Sequence, residues 1–414
     1  MKIFIQEFST GGGFAQTLLD FNLIIEGFGM LRLLIQNFKR LDLEVLTTLD
    51  SRLLFLIDFL EADEILLINQ GESFLEKSES LVMKCDSFII IAPGTDGILK
   101  NTIEYYQKFQ KSNLNCSSQA IDFSTAKHKM YELCSKINIQ YPRTIIIENK
   151  KRFREISKNS FVKISDIIEF TYNLDINLPV IIKPDDGVAC EGLFLCNNKD
   201  EIQYHLQKST SKNILVQEYI EGSNFSATVL VLNDIINVIS VNQQLIEFSN
   251  EKTEYLGGIS NIKAKFEEEI KLFSSKILSQ IKGINSLIGL DFILTANKEL
   301  YFIEINPRIT TPICGLISDK VQPINFFHSQ QLDEKQNKML SYFSKAKFIL
   351  KKEIPPGFYM NIRDFESIVT PPIRVDGNNF ICMIRGWGRN PYFAKKNFTK
   401  NFSKLLDKLK KLKN

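Results

Sequence analysis

Along the first 110–120 residues, short apolar runs alternate with longer stretches of helical period. Residues 2–8 (KIFIQEF) predict a buried strand that leads into Ser9-Thr10-Gly11-Gly12-Gly13 and then a helix around 14–40. Further strands are predicted at 43–48 (LEVLTT), 64–69 (EILLIN) and 88–92 (FIIIA), the last running into Pro93-Gly94-Thr95-Asp96-Gly97. Strands alternating with helices in this way build βαβ units and a mostly parallel sheet. The glycine run has two readings. It is either a backbone cradle for phosphate or substrate, or a tight strand-to-helix turn. It is not G-x-G-x-x-G, so it carries no dinucleotide fingerprint.

Near residue 120 the pattern changes. Residues 124–137 predict a helix, Pro142 interrupts, and strands are predicted at 179–183, 193–196, 214–220 and 225–232. A helix fits 266–285, and two strands, 289–294 (GLDFIL) and 300–305 (LYFIEI), join through Ala296-Asn297-Lys298. Strand pairs with a helix between them are an α+β pattern. Beyond 320 the chain is less regular, with a strand at 380–384 and a lysine-rich helix at about 395–413. Phe398, Phe402, Leu405, Leu406, Leu409 and Leu412 share one helical phase, which leaves the lysines on the solvated face. The expected division is residues 1–120, 121–320 and 321–414.

Composition narrows the class. The 414 residues are 44% hydrophobic and 24% charged, ordinary values for a globular chain that buries a sizeable core. The net charge of +3 gives no global basic field, so neither nucleic acid nor an acidic membrane surface is an expected partner. Residues 53–60 are apolar but short and carry Asp58, so no membrane span is expected. Seven cysteines, without a C-x-x-C pair, read as reduced thiols in a cytoplasmic compartment, and the N-terminus lacks the features of a signal peptide. His128, His205 and His328 are scattered, unlike a zinc site.

Three stretches carry candidate chemistry. In FIEINPR (302–308), Glu304 and Asn306 lie two apart on a strand and share a face, and Asp291 sits on the neighbouring strand of the predicted hairpin. Two carboxylates and an amide oxygen form a hard, all-oxygen set suited to Mg²⁺, with Mn²⁺ as an alternative. Arg308 adds a planar fork for phosphate or carboxylate. In IIKPDDGVACEG (181–192), Lys183 ends a buried strand and can reach a phosphate, while Gly187 and Gly192 allow close backbone approach. In QEYIEGSN (217–224), an extended backbone can pair with a purine edge.

Together and in this order, the three stretches resemble the ATP-grasp superfamily over roughly residues 120–315. The resemblance implies an N-terminal Rossmann-like pre-ATP-grasp α/β domain followed by an α+β ATP-grasp fold that clamps ATP. It implies Lys127 and Lys183 as phosphate-binding lysines, with Lys129 as a competitor for the first role. It further implies Gln217, Glu218, Tyr219 and Ile220 as the adenine hinge, and Asn224 where many members place a ribose-binding glutamate. Asp291, Glu304 and Asn306 would be the Mg²⁺ ligands, with Arg308 catalytic beside them and Lys183 sharing the catalytic role. IFIQEFSTGGG, the Ala92-Pro93 loop, DGVACEG and Tyr255–Gly258 look like the tyramine–glutamate ligase branch. The implied activity is an ADP-forming carboxylate–amine ligase acting through an acyl phosphate, on small-molecule acid and amine substrates. An ATP-binding regulatory or scaffold protein without ligation is the alternative, and either is compatible with a homo-oligomer. Gly11–Gly13, Asp96, Cys190, Tyr255, Gly257, Gly258, Thr310 and Thr311 are expected around the acid or amine.

Overall fold

The computed structural model describes residues 1–158, 160–187, 192–248, 253–263, 265–318, 323–327 and 339–412. The first sheet is parallel and comprises β1 (Lys2–Glu7), β2 (Glu44–Asp50), β3 (Glu64–Ile68), β4 (Ser87–Ile91) and β5 (Ser112–Asn113), in the order β3-β2-β1-β4-β5. Its helices are α1 (Phe21–Lys39), α2 (Phe74–Lys84) and α3 (Ile98–Gln107). The expected Rossmann-like arrangement is present, but α1 starts at Phe21 rather than near 14. Asp20 caps it by accepting the Asn22 and Leu23 N–H groups, and residues before it turn tightly. The glycine run makes that turn. Gly12 has φ +101°, and a Cβ there would stand 2.6 Å from Ile68. Its smallness therefore serves chain packing.

The chain then passes through α4 (Ser118–Thr125) and α5 (Lys127–Lys136), where one continuous helix was expected. Ala126, at φ −78° and ψ 93°, breaks them apart and leaves Lys127 at a helix start. The second sheet contains β6 (Thr144–Glu148), β7 (Arg152–Glu155), β8 (Val162–Lys163), β9 (Val180–Pro184), β10 (Phe194–Cys196) and β11 (Asn213–Glu218), ordered β10-β9-β11-β6-β7-β8. Helices α6 (Ile167–Tyr172) and α7 (Lys199–Lys208) accompany it, over a small core of Ile145, Ile147, Val180, Ile182 and Val216.

The third sheet has eight strands, ordered β16-β15-β12-β13-β14-β17-β19-β18. They are β12 (Ser223–Leu232), β13 (Ile235–Phe248), β14 (Thr253–Ser260), β15 (Leu287–Leu294), β16 (Leu300–Asn306), β17 (Leu340–Ile349), β18 (Ile368–Asp376) and β19 (Asn379–Gly388). Helices α8 (Glu267–Leu278), α9 (Ile313–Leu316), α10 (Pro356–Met360) and α11 (Pro391–Lys410) complete the chain. The helix expected at 266–285 is thus shorter, and β13 and β14 were not anticipated. Their Asn237, Asn242, Gln243, Gln244 and Glu247 have low strand preference, and pairing within the sheet overrides it.

The stretch after 320 does not stand apart, because β17 extends the sheet through β14. Its residues share one core with the first sheet: Ile3, Leu31 and Leu34 pack in the same cluster as Phe343, Ile381, Leu405 and Leu409. Buried polar contacts stitch the same junction. Arg32 donates to the Ile368 carbonyl at 2.6 Å, and the Asn37 amide exchanges hydrogen bonds with the Ile324 backbone at 2.8 and 2.9 Å. Among the described residues, no helix is long and apolar enough to cross a membrane.

Candidate active site

A cleft with a cavity volume of about 220 Å³ opens between the second and third sheets and runs to the C-terminal end of β1. Its position follows from strand register. β15 pairs with β16 so that Asp291 stands opposite Glu304, and with β12 so that Asp291 stands opposite Ser226. Like charges facing each other across a ladder oppose pairing, so this register marks a site rather than a scaffold. Asn306 lies two residues beyond Glu304, and its Nδ2 donates to Asp291 Oδ2 at 3.2 Å and Glu304 Oε1 at 3.4 Å. The amide thus presents its donor to the carboxylates, and a ligand role requires it to turn its oxygen inward.

Burial, followed by the neighbouring Glu304 charge, pushes the Asp291 carboxyl well above the usual carboxylate range, against Arg308 and Gln244. Burial pushes Glu304 upward too. Lys127 and Lys183, with hydrogen bonds from Lys127 and Asn306, outweigh it and hold Glu304 low. Gln244 of β13 donates to Asp291 Oδ1 at 3.0 Å, a contact that nothing in the strand pattern announced.

Lys127 Nζ lies 3.3 Å from Glu304 Oε2 and donates to the Gly187 carbonyl at 2.6 Å. Its competitor Lys129 is exposed and does not line the cleft. Lys183 Nζ donates to Tyr131 Oη at 3.1 Å, and Tyr131 in turn donates to the Ile303 carbonyl at 2.7 Å. Both lysines are buried. Gln217, Glu218, Tyr219 and Ile220 line the opposite wall with Asn224. The Gln217 side chain donates to Thr144 Oγ1 at 2.7 Å, while the Glu218 and Tyr219 N–H groups donate to the carbonyls of Arg143 and Pro179. Those two donors are committed to the scaffold. Ile181, Leu193 and Ile293 make the adjoining surface apolar.

Arg308 faces this set across the cleft. Burial lowers its guanidinium pKa, against the charges of Glu26, Glu304, Glu7 and Asp291. Beyond it, at the β1 end, lie Glu7, Phe8, Leu23, Glu26 and Met30, joined by Thr310, Thr311 and Tyr255. The Glu7 carboxylate accepts from Ser9 and Thr10, through both backbone and hydroxyl, at 2.7–3.1 Å. Burial raises its pKa against those bonds. Glu26 accepts from Thr311 Oγ1 at 2.7 Å and pairs with Lys345 at 2.6 Å.

Of the residues expected at the nucleotide and metal, all but Gly192 line the cleft; Gly192 packs with φ +67° over Pro184. Gly11–Gly13, Asp96, Gly257 and Gly258, expected near the substrates, are likewise outside it. The two glycines of β14 instead let its backbone meet β17, where a Cβ at Gly257 would stand 2.2 Å from the Phe343 carbonyl oxygen. Cys190 lies outside the described residues. Glu7, Glu26, Ser226 and Gln244 were not anticipated, because they come from four separate elements and only folding gathers them. The six described cysteines are buried, and burial raises their thiol pKa values, so none is poised as a nucleophile.

The residues fit a divalent cation. Two half-buried carboxylates facing each other gain from one, yet no group of three or more His, Cys, Asp and Glu is arranged to hold a metal among the described residues. Such a set suits an ion that completes its shell with phosphate oxygens and water.

Comparison with known proteins gives two family matches. Residues 124–312 match the ATP-grasp domain, and residues 43–121 match the pre ATP-grasp 3 domain. The chain is 29% identical over 312 residues to the tyramine–L-glutamate ligase of Methanocaldococcus jannaschii, covering 75% of this chain and 83% of that one. It is 32% identical over 233 residues to the tyramine–L-glutamate ligase of Methanocaldococcus fervens, covering 56% of this chain and 62% of the other. The L-amino acid ligase of Bacillus licheniformis superposes with a TM-score of 0.65 at 12% identity, covering 98% of this chain and 97% of that one.

Proposed function

The chain belongs to the ATP-grasp superfamily, and from that premise we propose that it is an ADP-forming carboxylate–amine ligase. One observation carries the proposal. The Asp291–Glu304 pair, Lys127 and Lys183 share a single cleft that continues past Arg308 into a pocket at the β1 end.

In this reading a nucleotide base lies in the apolar slot beside Gln217–Ile220, and Asn224 is placed to hydrogen-bond the ribose. Lys127 and Lys183 hold the phosphates as point charges. Asp291 and Glu304, with Asn306 turned, would hold Mg²⁺ or Mn²⁺, which supplies charge neutralisation along the phosphates when bound. A carboxylate oxygen of the acid attacks the γ-phosphorus, ADP leaves, and an acyl phosphate results. The amine nitrogen then attacks the acyl carbon, inorganic phosphate leaves, the nitrogen loses a proton, and an amide remains. No side-chain nucleophile is required, since phosphoryl transfer rests on positioning and charge. Arg308 holds the acid and the acyl phosphate with its fork.

The relatives' activity points to glutamate as acid and tyramine or a similar aromatic amine as nucleophile. The pocket supports this. Phe8, Leu23 and Met30 offer apolar surface for a ring, while Glu7 and Glu26 suit ammonium groups. The buried, unbridged cysteines support a cytoplasmic setting. The test is an ADP-release screen of amino acids against amines with Mg²⁺, glutamate with tyramine included. ADP and an amide product are expected. AMP as product, or nucleotide binding without turnover on any pair, overturns the proposal.

A further inference from the structure

The start of α5 lacks a cap of its own. Ala126 precedes it and has no polar side chain, so the first free N–H groups need an acceptor from elsewhere. Asp185, immediately after β9, supplies it. Its Oδ1 accepts the His128 N–H at 2.9 Å, and its Oδ2 lies 2.5 Å from His128 Nδ1. The two contacts together set the ring orientation. The Asp185 carbonyl accepts the Lys127 N–H at 3.2 Å and Lys127 Nζ at 3.4 Å. Its own N–H donates to the Asn213 carbonyl of β11 at 3.1 Å. Asp185 is 4% exposed, so these contacts are made out of water, where a charge-assisted bond is strong. Two residues on, Gly187 offers its carbonyl to the same Nζ at 2.6 Å.

We infer that Asp185 and His128 form a positioning pair that locks the start of α5 to the end of β9 and so sets Lys127 toward the nucleotide phosphates. The inference rests on the nucleotide reading above. Neither residue touches the reacting atoms. They act through Lys127, whose ammonium is aimed only while its backbone is pinned to Asp185.

The test is calorimetric binding of MgATP, MgADP and adenosine to the full chain and to Asp185→Ala, Asp185→Asn and His128→Phe. The pair acts on phosphates and not on the base. Asp185→Ala should therefore weaken MgATP and MgADP about tenfold or more and change adenosine affinity less than about twofold. Asp185→Asn keeps an acceptor for the His128 N–H and should recover part of the loss. His128→Phe should weaken MgATP several-fold and, in turnover, raise the KM for ATP more than it lowers kcat. Unchanged MgATP affinity in a folded Asp185→Ala chain, or equal weakening of adenosine and MgATP, overturns the inference. If Asp185→Ala does not fold, the same comparison is made with His128→Phe, and either of those two outcomes there overturns the inference equally. A wild-type chain that binds no MgATP refutes the nucleotide reading itself. Binding that all three substitutions leave intact refutes only the positioning pair.

Discussion

Lys127 Nζ and Glu304 Oε2 stand 3.3 Å apart, which joins the first residue of α5 to the carboxylate-bearing edge of β16. Lys127 is buried and Glu304 half-buried, so the pair sits partly out of water. The Lys127 cation and the carboxylate pair are thus already in contact within the cleft. Changes on one side are felt on the other.

Replacement of Glu304 by Gln keeps the shape and removes the charge. ADP formation in the presence of Mg²⁺ should fall about 10²–10³-fold, the scale for losing a preorganised electrostatic group. The thermal midpoint should stay within a few degrees, because Asp291 is relieved of a like charge. A coupled ADP assay beside a melting curve checks both, and full activity in the variant would remove Glu304 from the metal site.

Tyr131→Phe tests the support of Lys183. The hydroxyl accepts from Lys183 Nζ and donates to the Ile303 carbonyl, and both partners lose it. Denaturant unfolding should show a loss of about 1–3 kcal/mol. The KM for ATP should rise several-fold with a smaller change in kcat. An unaltered KM would show that Lys183 does not depend on this hydroxyl.

Gly27→Ala probes the β1 end of the cleft without replacing a polar group. A Cβ at Gly27 would stand 2.4 Å from Glu7 Oε2 and from Ser9 Oγ, so the carboxylate and its hydroxyl partner must move. Overpacking of this kind costs about 1–3 kcal/mol. The KM for the acid or the amine should rise while MgATP binding persists. Calorimetry with each substrate separates the two effects.

Acid should weaken the hinge support. Arg143 Nε and Nη2 grip the two Glu155 oxygens at 3.0 and 3.2 Å, and the Arg143 carbonyl accepts the Glu218 N–H. The Arg143 hydrogen bonds lead the lowering of the Glu155 pKa to about 2, with Lys158 assisting against burial. A carboxyl depressed on folding adds stability that is full above its ordinary range near 4.5 and is lost as pH falls toward about 2. Glu155→Gln should flatten the stability profile between those limits, as read by urea unfolding across pH. A profile that remains as steep would assign the acid sensitivity elsewhere.

Much of this was legible from local pattern. Buried strands announce themselves by continuous apolar runs, so β1, β4, β9, β11, β15 and β16 fall within a residue or two of their expected places. The i, i+2 rule put Glu304 and Asn306 on one face, and strand adjacency added Asp291 opposite. Both depend only on nearest neighbours along the chain or across a short hairpin. The α11 stripe is of the same kind, with Leu405 and Leu409 buried and its lysines outside.

Other features depend on contacts distant in sequence, which no local period encodes. Of β17–β19 only the strand within β19 was legible, because the apolar face they cover belongs to α1, more than 300 residues earlier, as the Arg32–Ile368 bond records. Glu7, Glu26 and Gln244 reach one cleft from β1, α1 and β13 only once three sheets have closed around it. The choice of Lys127 over Lys129 turned on the break at Ala126 and on the exposure of Lys129 beside it. Residue chemistry and local period thus specified which groups the chain carries and which strand faces they share. Long-range packing, driven by burial of three apolar clusters, set which of those groups meet.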